Sequence, residues 1–369
     1  MWKKLIPLFA TIVIGLLAYF LIEKISKEEA GNLILAKKPV IGFILNGEFD
    51  ENGWNGAHYQ AMAFSAKELG VHVIYKRNVG ESPVALGKAV ADLAGKGATV
   101  IFTTSFGYSP LLVNVAARYP KIHFYCAAGI DQSENVNNYF GRMYQARFLA
   151  GLIAGSETRT RSIGYIAAIK ICETVRGIDA FTLGVRMVNP KAKVYVYWTN
   201  SWNDAIKEKA GANLLIDRYK ADILTYHQNT SNISKIARTR GIRSIGYNYD
   251  AQSVIGDSYL TAAIWHWDIF YEDIIRNAIA GHFVRTNYWE GIDKGIIGLS
   301  PISKDVDSSS LFLLDSLKIA LAQGKTDVFY GPIKDNEGKL RVAKGENLSD
   351  DVLFNEIDWF VEGVQEVNP

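Results

Sequence analysis

The sequence VIGFILNGEFDENGWNGAH, residues 40–58, decides the fold. Its apolar start at 40–45 predicts a buried strand, and a helix-like run follows at 61–69. Between them, residues 50–58 form a polar loop with a carboxylate, amides, glycines and a tryptophan. A strand that ends in such a loop before a helix is where open α/β sheets bind ligands. This composition suits recognition of a flat, hydrogen-bonding small molecule better than it suits a catalytic triad.

Strand and helix patterns alternate along the chain in two series, and the second series starts after Gly155. The predicted strands are 40–45, 71–75, 99–103, 123–127, 162–167, 193–198, 222–226 and 243–247. The predicted helices are 56–69, 84–96, 110–118, 173–189, 204–217, 233–240 and 269–280. Repeated βαβ units predict parallel sheets covered by helices on both faces. The predicted fold class is therefore α/β, with two Rossmann-like lobes whose strand-end loops face a shared cleft.

The predicted division of the chain has three parts. Residues 1–36 form a signal peptide or signal-anchor with a linker, residues 37–140 and 263–288 form the first lobe, and residues 141–262 and 289–369 form the second lobe and tail. The Trp-rich segment after Ser258, followed by a helix, is where the chain returns to the first lobe.

The amino terminus has a different composition from the body. Lys3 and Lys4 precede an uncharged stretch at 5–22, which is the pattern of a secretory signal. The stretch is also near the lower length limit of a membrane span. We therefore expect a signal-anchor or a poorly marked signal peptide, with the body outside the cytoplasm and residues 5–22 as its candidate anchor.

The composition of the chain and the motifs that it lacks limit the classes of function it could have. The 369 residues carry a net charge of +2 and no Lys/Arg-rich block, which argues against nucleic-acid binding. Nucleotide-binding and hydrolase motifs are missing from the sequence, and its two cysteines and six histidines show no metal-ligand spacing. We therefore expect no enzyme activity, no metal and no cofactor.

Seven segments in order resemble one family. They are DENGWNGAH, TTSFGY, GRMYQARFLAGLIAG, ETVRGIDAFTLGVRMVNP, WTNSWND, GPIKDNEGKL and DWFVEGV. Together they are similar to the basic membrane protein family, the substrate-binding proteins of purine nucleoside ABC transporters, in its branch with a Trp-containing first loop. The resemblance implies a type I periplasmic-binding fold, a monomer, a purine nucleoside or base held between aromatic rings of the two lobes, and an ABC permease as partner.

The resemblance also implies a set of ligand-binding residues. They are Asp50, Trp54, His58, Tyr59, Ser105, Phe106, Glu173, Trp202, Asn229 and Asp250. Which of Trp54, His58 and Tyr59 stacks on the base stays open. Simpler roles also stay open, because Asp50 could cap the following helix and Trp202 could pack on its own lobe.

Two other functions compete with import. A membrane-anchored sensory or regulatory protein would use the same two lobes and would retain the apolar segment at 5–22. A nucleoside-processing enzyme is the weaker alternative, because no nucleophile or metal ligand accompanies the carboxylates of Asp50 and Asp250.

Overall fold

The computed structural model of this chain describes residues 38–49 and 52–367. The predicted signal or anchor segment and the ligand-binding candidate Asp50 therefore lie outside the described residues. Among the helices that are described, none has the length and apolar character needed to cross a membrane.

The strands are short and most are buried. In chain order they are β1 (Val40–Ile44), β2 (His72–Lys76), β3 (Ala98–Thr103), β4 (His123–Ala127), β5 (Val136–Gly141), β6 (Ser162–Ala167), β7 (Lys193–Trp198), β8 (Ile223–His227), β9 (Arg243–Asn248), β10 (Tyr259–Trp265), β11 (Asn287–Glu290), β12 (Ile297–Leu299), β13 (Ile333–Lys334), β14 (Leu340–Val342) and β15 (Val364–Val367). Continuous apolar runs such as VIGFI in β1 are typical of parallel strands that are covered on both faces.

Two sheets organise these strands. The first has the order β11-β5-β4-β3-β1-β2, and every neighbouring pair is parallel. The second has the order β12-β10-β9-β8-β6-β7-β15, and only the edge pair of β10 and β12 is antiparallel. Strands β13 and β14 form a separate antiparallel pair. We call the first sheet with its helices the first lobe, and the second sheet with its helices the second lobe.

Helices cover both sheets. They are α1 (Trp54–Leu69), α2 (Pro83–Gly95), α3 (Ser109–Ala116), α4 (Met143–Glu157), α5 (Cys172–Val188), α6 (Ala205–Asp217), α7 (Asn232–Thr239), α8 (Gln252–Ile255), α9 (Trp267–Ile279) and α10 (Ser308–Ala322). Their ends follow local sequence signals. Ser82 accepts a hydrogen bond from the Ala85 N–H at the start of α2, Asp204 caps α6, and Gly70 ends α1 in the left-handed conformation.

The chain crosses between the lobes after β5, after β10 and after β11. Helix α4 packs on α5 and β10 of the second lobe, whereas α9 packs on α1 of the first lobe. Strand β10 stays in the second sheet to Trp265, and β11 joins the first sheet beside β5. The exact residue boundaries of the lobes stay a prediction.

Glycines let α4 and α5 approach each other backbone to backbone. A Cβ atom on Gly151 would lie 2.9 Å from the carbonyl carbon of Phe181, and one on Gly184 would lie 3.0 Å from that of Phe148. Both distances are too short for a real side chain, so the pair depends on residues without one. This packing matters for the site because α5 carries Glu173 in its first turn.

The predicted strands and helices all have counterparts within two residues of the expected bounds. The sequence did not predict helices α4, α8 and α10 or strands β5 and β10 to β15. Helix α4 is buried from Met143 to Gly155, so it lacks the polar face that reveals a helix in a sequence. Strand β15 pairs with β7 from a distant tail segment, which no local pattern indicates.

Candidate functional site

A cavity of about 220 Å³ lies between the lobes, where strand ends of both sheets meet. Its walls come from segments that follow β1, β2, β3 and β4 on one side, and from segments that end or follow β6, β7, β8 and β9 on the other. The lining residues are Asn46, Trp54, Glu81, Ser105, Phe106, Gly107, Ala128, Ile169, Glu173, Trp202, His227, Asn229, Tyr247 and Asn248. The cavity therefore occupies the position at which α/β sheets bind ligands.

The indole of Trp54 forms the aromatic wall on the first-lobe side. Its Nε1–H donates a hydrogen bond of 2.6 Å to the carbonyl of Thr104. Trp267 and His58 meet it edge to face, at centroid distances of 5.9 and 4.3 Å. These contacts hold the ring of Trp54 in one orientation before any ligand binds.

A polar group from the first lobe lies beside this wall. Asn46 Nδ2 donates to Glu81 Oε1 over 3.1 Å, and the hydroxyl of Ser105 donates to the same oxygen. Asn46 Oδ1 is buried and has no hydrogen-bond partner among the described residues. An acceptor in this state favours a ligand that brings its own N–H or O–H. Phe106, which is 43% exposed, flanks the group.

Glu173 is the centre of a buried polar group on the second-lobe side. Its Oε1 accepts a hydrogen bond from His227 Nε2 over 3.2 Å and one from the Tyr247 hydroxyl over 3.5 Å. Burial alone would raise the pKa of Glu173. The hydrogen bond from His227 and the positive charges of Arg176 and Arg147 together outweigh burial, so the pKa of Glu173 lies below its ordinary value. The carboxylate is therefore ionised at neutral pH.

The partners of this carboxylate are neutral at the same pH. Burial lowers the pKa of His227 and raises the pKa of Tyr247 well above its usual value. Since a carboxylate only accepts, the neutral imidazole of His227 donates from Nε2. Arg147 lies behind this group, with its guanidinium 3.7 Å from the ring centroid of Tyr247 and a hydrogen bond of 2.9 Å to the Tyr226 carbonyl.

The two lobes contact each other at the rim of the cavity. The backbone N–H of Trp54 donates to the carbonyl of Asn229 over 3.1 Å, and the backbone N–H of Asn229 donates to the carbonyl of Trp202 over 2.9 Å. A Cβ on Gly53 would lie 2.6 Å from the Asn229 carbonyl carbon and closer still to its oxygen. Residue 53 must therefore be glycine for this approach. The structure is that of a closed cleft.

Six of the ten predicted ligand-binding residues line this cavity. They are Trp54, Ser105, Phe106, Glu173, Trp202 and Asn229. Whether they bind a ligand stays a prediction.

Three other candidates, His58, Tyr59 and Asp250, do not line this cavity, and their role in ligand binding stays a prediction. His58 is completely buried, because its ring stacks on Trp267 at 4.5 Å and its Nδ1 lies 2.5 Å from the Tyr271 hydroxyl. Tyr59 points to the other side of α1, where it stacks on Phe49 at 4.4 Å. Of the three aromatic residues considered for stacking, Trp54 is thus the one at the cavity.

Asp250 lines a different and more open cavity of about 370 Å³, together with Gln60, Tyr249 and Asp268. Its Oδ1 accepts a hydrogen bond from the backbone N–H of Gln252 over 3.0 Å. This is the turn-forming role of a loop aspartate.

Several lining residues were not predicted from the sequence. Among those with polar side chains, Asn46, Glu81, His227, Tyr247 and Asn248 were not proposed. Three of them end buried strands or follow one directly, so the rule of strand ends could have found Asn46, His227 and Asn248. Among the described residues, no cluster of His, Cys, Asp and Glu could hold a metal ion.

Comparison with known proteins identifies the family. Residues 38–326 match the model of the Bmp family, described as PnrA-like ABC transporter substrate-binding proteins. The chain belongs to this family. A purine-binding protein of Brucella abortus (strain 2308) is 32% identical over 335 residues, covering 90% of this chain and 95% of that protein. The predicted family is thus confirmed, and it is a family of extracytoplasmic substrate-binding proteins and not of enzymes.

Another relative and a solved structure complete the comparison. A putative ABC transporter glucose-binding protein, TsgA13 of Haloferax volcanii, is 32% identical over 319 residues, covering 86% of this chain and 78% of that protein. The crystal structure of a transcriptional activator of the comK gene from Bacillus halodurans superposes with a TM-score of 0.69 at 20% identity, covering 78% of this chain and 99% of that one. This structural similarity supports the two-lobed fold. The predicted α/β fold class is thus confirmed. As a substrate-binding protein of this family, the chain acts with a ligand and a membrane permease.

Proposed function

We propose that this protein binds a purine base or purine nucleoside between its lobes outside the cytoplasm and presents it to an ABC permease. One observation carries the proposal. The cavity places aromatic rings of both lobes, Trp54 and Trp202, around amides and carboxylates in about 220 Å³. Aromatic faces stack on any purine ring, and the polar groups can pair with its edge. The purine-binding relative from Brucella supports the same ligand class.

The charges of the cavity limit the ligand further. The described lining residues include the carboxylates of Glu81 and Glu173 but no lysine or arginine. A phosphate group placed in this cavity would lack a cation to pair with, at a large cost in desolvation. The adjoining cavity differs, because Arg176 is among its lining residues. The main cavity therefore favours an uncharged group such as a purine base.

The volume of the cavity favours a small ligand. About 220 Å³ is below the roughly 300–1,000 Å³ that is typical of sites for drug-sized molecules. A cavity of about 210 Å³, which also contacts Phe106, Ala128 and Glu173, adjoins it. A base would occupy the first cavity, and the ribose of a nucleoside would extend toward the second.

A thermal-shift panel on the body without the segment at 1–36 tests the proposal. A ligand at about 100 times its Kd adds ~2.7 kcal/mol to the free energy of unfolding. For a chain of this size, that raises the melting temperature by roughly 5 °C. We expect this rise with one or more of adenine, hypoxanthine, guanine and their nucleosides. No rise with any purine would refute the purine assignment.

Glucose is the second candidate ligand, for a specific reason. Tryptophan, amides and carboxylates also suit the faces and hydroxyls of a sugar, and the relative from Haloferax is named as a putative glucose-binding protein. The same panel separates the two ligands. A rise with glucose and none with purines would assign the cavity to sugars.

A further inference from the structure

The charged groups around the cavity are arranged asymmetrically. Glu173 lines it, while the nearest cations, Arg147 and Arg176, are engaged elsewhere. Arg147 donates to the Tyr226 carbonyl, and Arg176 donates over 3.0 Å to the carbonyl of Leu353. Both guanidinium groups also lie over aromatic rings. Their positive charges lower the pKa of Glu173, but neither arginine lines the main cavity.

One oxygen of Glu173 is available to a ligand. Both hydrogen bonds to its carboxylate from the described part of the chain, those of His227 and Tyr247, end on Oε1. The side chain is 18% exposed, and it faces the cavity. Its Oε2 can therefore accept one more hydrogen bond, and the floor of the cavity presents a negative charge to whatever binds.

An ionised carboxylate can only accept hydrogen bonds. A neutral purine satisfies it with an N–H of the ring or of an exocyclic amine. A purine that has lost this proton brings a lone pair and a negative charge to the same place. Repulsion between like charges is strong where water is largely excluded. The two forms of one purine should therefore differ sharply in affinity, although they have the same shape.

On the basis of the proposed purine ligand, we propose that Glu173 is a specificity-determining residue: its Oε2 accepts an N–H of a neutral purine and excludes purine anions. His227 is the positioning residue for this carboxylate, because its Nε2–H holds Oε1 and leaves Oε2 toward the ligand. The site would then bind neutral bases such as hypoxanthine and reject urate and the xanthine anion.

Xanthine tests this proposal because its charge changes near neutral pH while its shape does not. Its Kd is measured by calorimetry below and above its first ionisation, and hypoxanthine, which stays neutral over this interval, is the reference. The groups that face Glu173 keep their charge. Burial lowers the pKa of His227 and raises the pKa of Tyr247 and of Tyr165.

For the wild-type protein, we expect ionisation to weaken xanthine binding at least about tenfold relative to hypoxanthine. In Glu173→Gln this dependence should fall to less than about threefold, because the neutral amide no longer repels the anion. Glu362→Gln is the matched control. It removes a carboxylate charge from a second-lobe side chain that is 62% exposed and does not line the cavity, so it should retain the dependence.

The outcomes separate this inference from the proposed function. If the xanthine anion binds the wild-type protein as tightly as neutral xanthine does, Glu173 does not select by charge, and this result needs no variant. An unchanged pH dependence in Glu173→Gln, with a normal melting curve, would also overturn the inference. If hypoxanthine, xanthine and the other purines all fail to bind the wild-type protein, the purine assignment itself is wrong.

Discussion

Replacing Gly53 with alanine should weaken ligand binding by preventing full closure of the cleft. Gly53 has an extended backbone, with φ near −168°, so alanine adopts it without strain. The added Cβ, however, would lie 2.6 Å from the Asn229 carbonyl carbon. Ordinary van der Waals contact begins at 3.4 Å, so contact with the carbonyl carbon alone requires the two lobes to separate by about 0.8 Å, and the closer carbonyl oxygen requires more.

This separation has a measurable energetic consequence. It would lengthen the hydrogen bond from the Trp54 N–H to the Asn229 carbonyl from 3.1 Å to roughly 3.9 Å, beyond hydrogen-bonding range. Loss of one such bond costs about 1 kcal/mol, and the residual overlap adds about 1–3 kcal/mol. Because the apparent affinity scales with the closed fraction, we expect the Kd to rise at least about tenfold.

Calorimetry with the best ligand of the thermal-shift panel measures this effect, and small-angle scattering of the ligand-bound protein measures closure. Gly80→Ala is the matched control, because its Cβ would lie an ordinary 3.8 Å from the Ala85 Cβ in the same lobe. The reasoning is refuted if Gly53→Ala binds with wild-type affinity and closes to the same radius of gyration.

Three further predictions concern binding, packing and pH. Trp202→Ala should weaken purine binding at least about tenfold in calorimetry, because a stacked base is worth about 1–3 kcal/mol; an unchanged Kd would remove Trp202 from the site. Gly184→Ala should lower the melting temperature by several degrees in calorimetry of the ligand-free protein, because its Cβ would lie 3.0 Å from the Phe148 carbonyl carbon; an equal melting temperature would contradict this. Burial holds the pKa of His58 well below its ordinary value, so below about pH 6.5 the unfolded chain binds a proton that the folded protein does not. The free energy of unfolding should therefore decrease as the pH falls from about 6.5, and less steeply in His58→Gln; equal slopes in denaturant titrations would argue against it.

In α/β sheets, ligands bind at the carboxyl ends of the strands, and this rule predicted much of the cavity lining from the sequence alone. Parallel strands bring their carboxyl ends to one edge, so the loops that hold Ser105, Glu173 and Asn229 had to converge. The rule does not say which way a residue faces. His227 is the last residue of β8 and Tyr247 the penultimate residue of β9. Both strands are mostly buried, and such strands lack the polar alternation that would mark an inward or outward side.

The sequence also did not predict which residue of α1 faces the cavity. Trp54 and His58 are four residues apart and lie on the same face of the helix, so periodicity favours neither as the ligand contact. Their difference comes from α9, which places Trp267 and Tyr271 against His58 and leaves Trp54 at the cavity. Because α9 lies about two hundred residues further along the chain, no local pattern around residue 58 contains this information.

The aromatic walls of the cavity are joined through a single residue. The carbonyl of Asn229 accepts from the Trp54 N–H, and its N–H donates to the Trp202 carbonyl. The indole of Trp54 is also fixed to Thr104, so backbone hydrogen bonds set the spacing of the two chain segments, and a side-chain hydrogen bond orients the ring of Trp54. Closure at Gly53 therefore brings the loops that carry Trp54 and Trp202 together at the rim of the cavity. This is why an alanine at residue 53 should affect affinity although its side chain does not line the cavity.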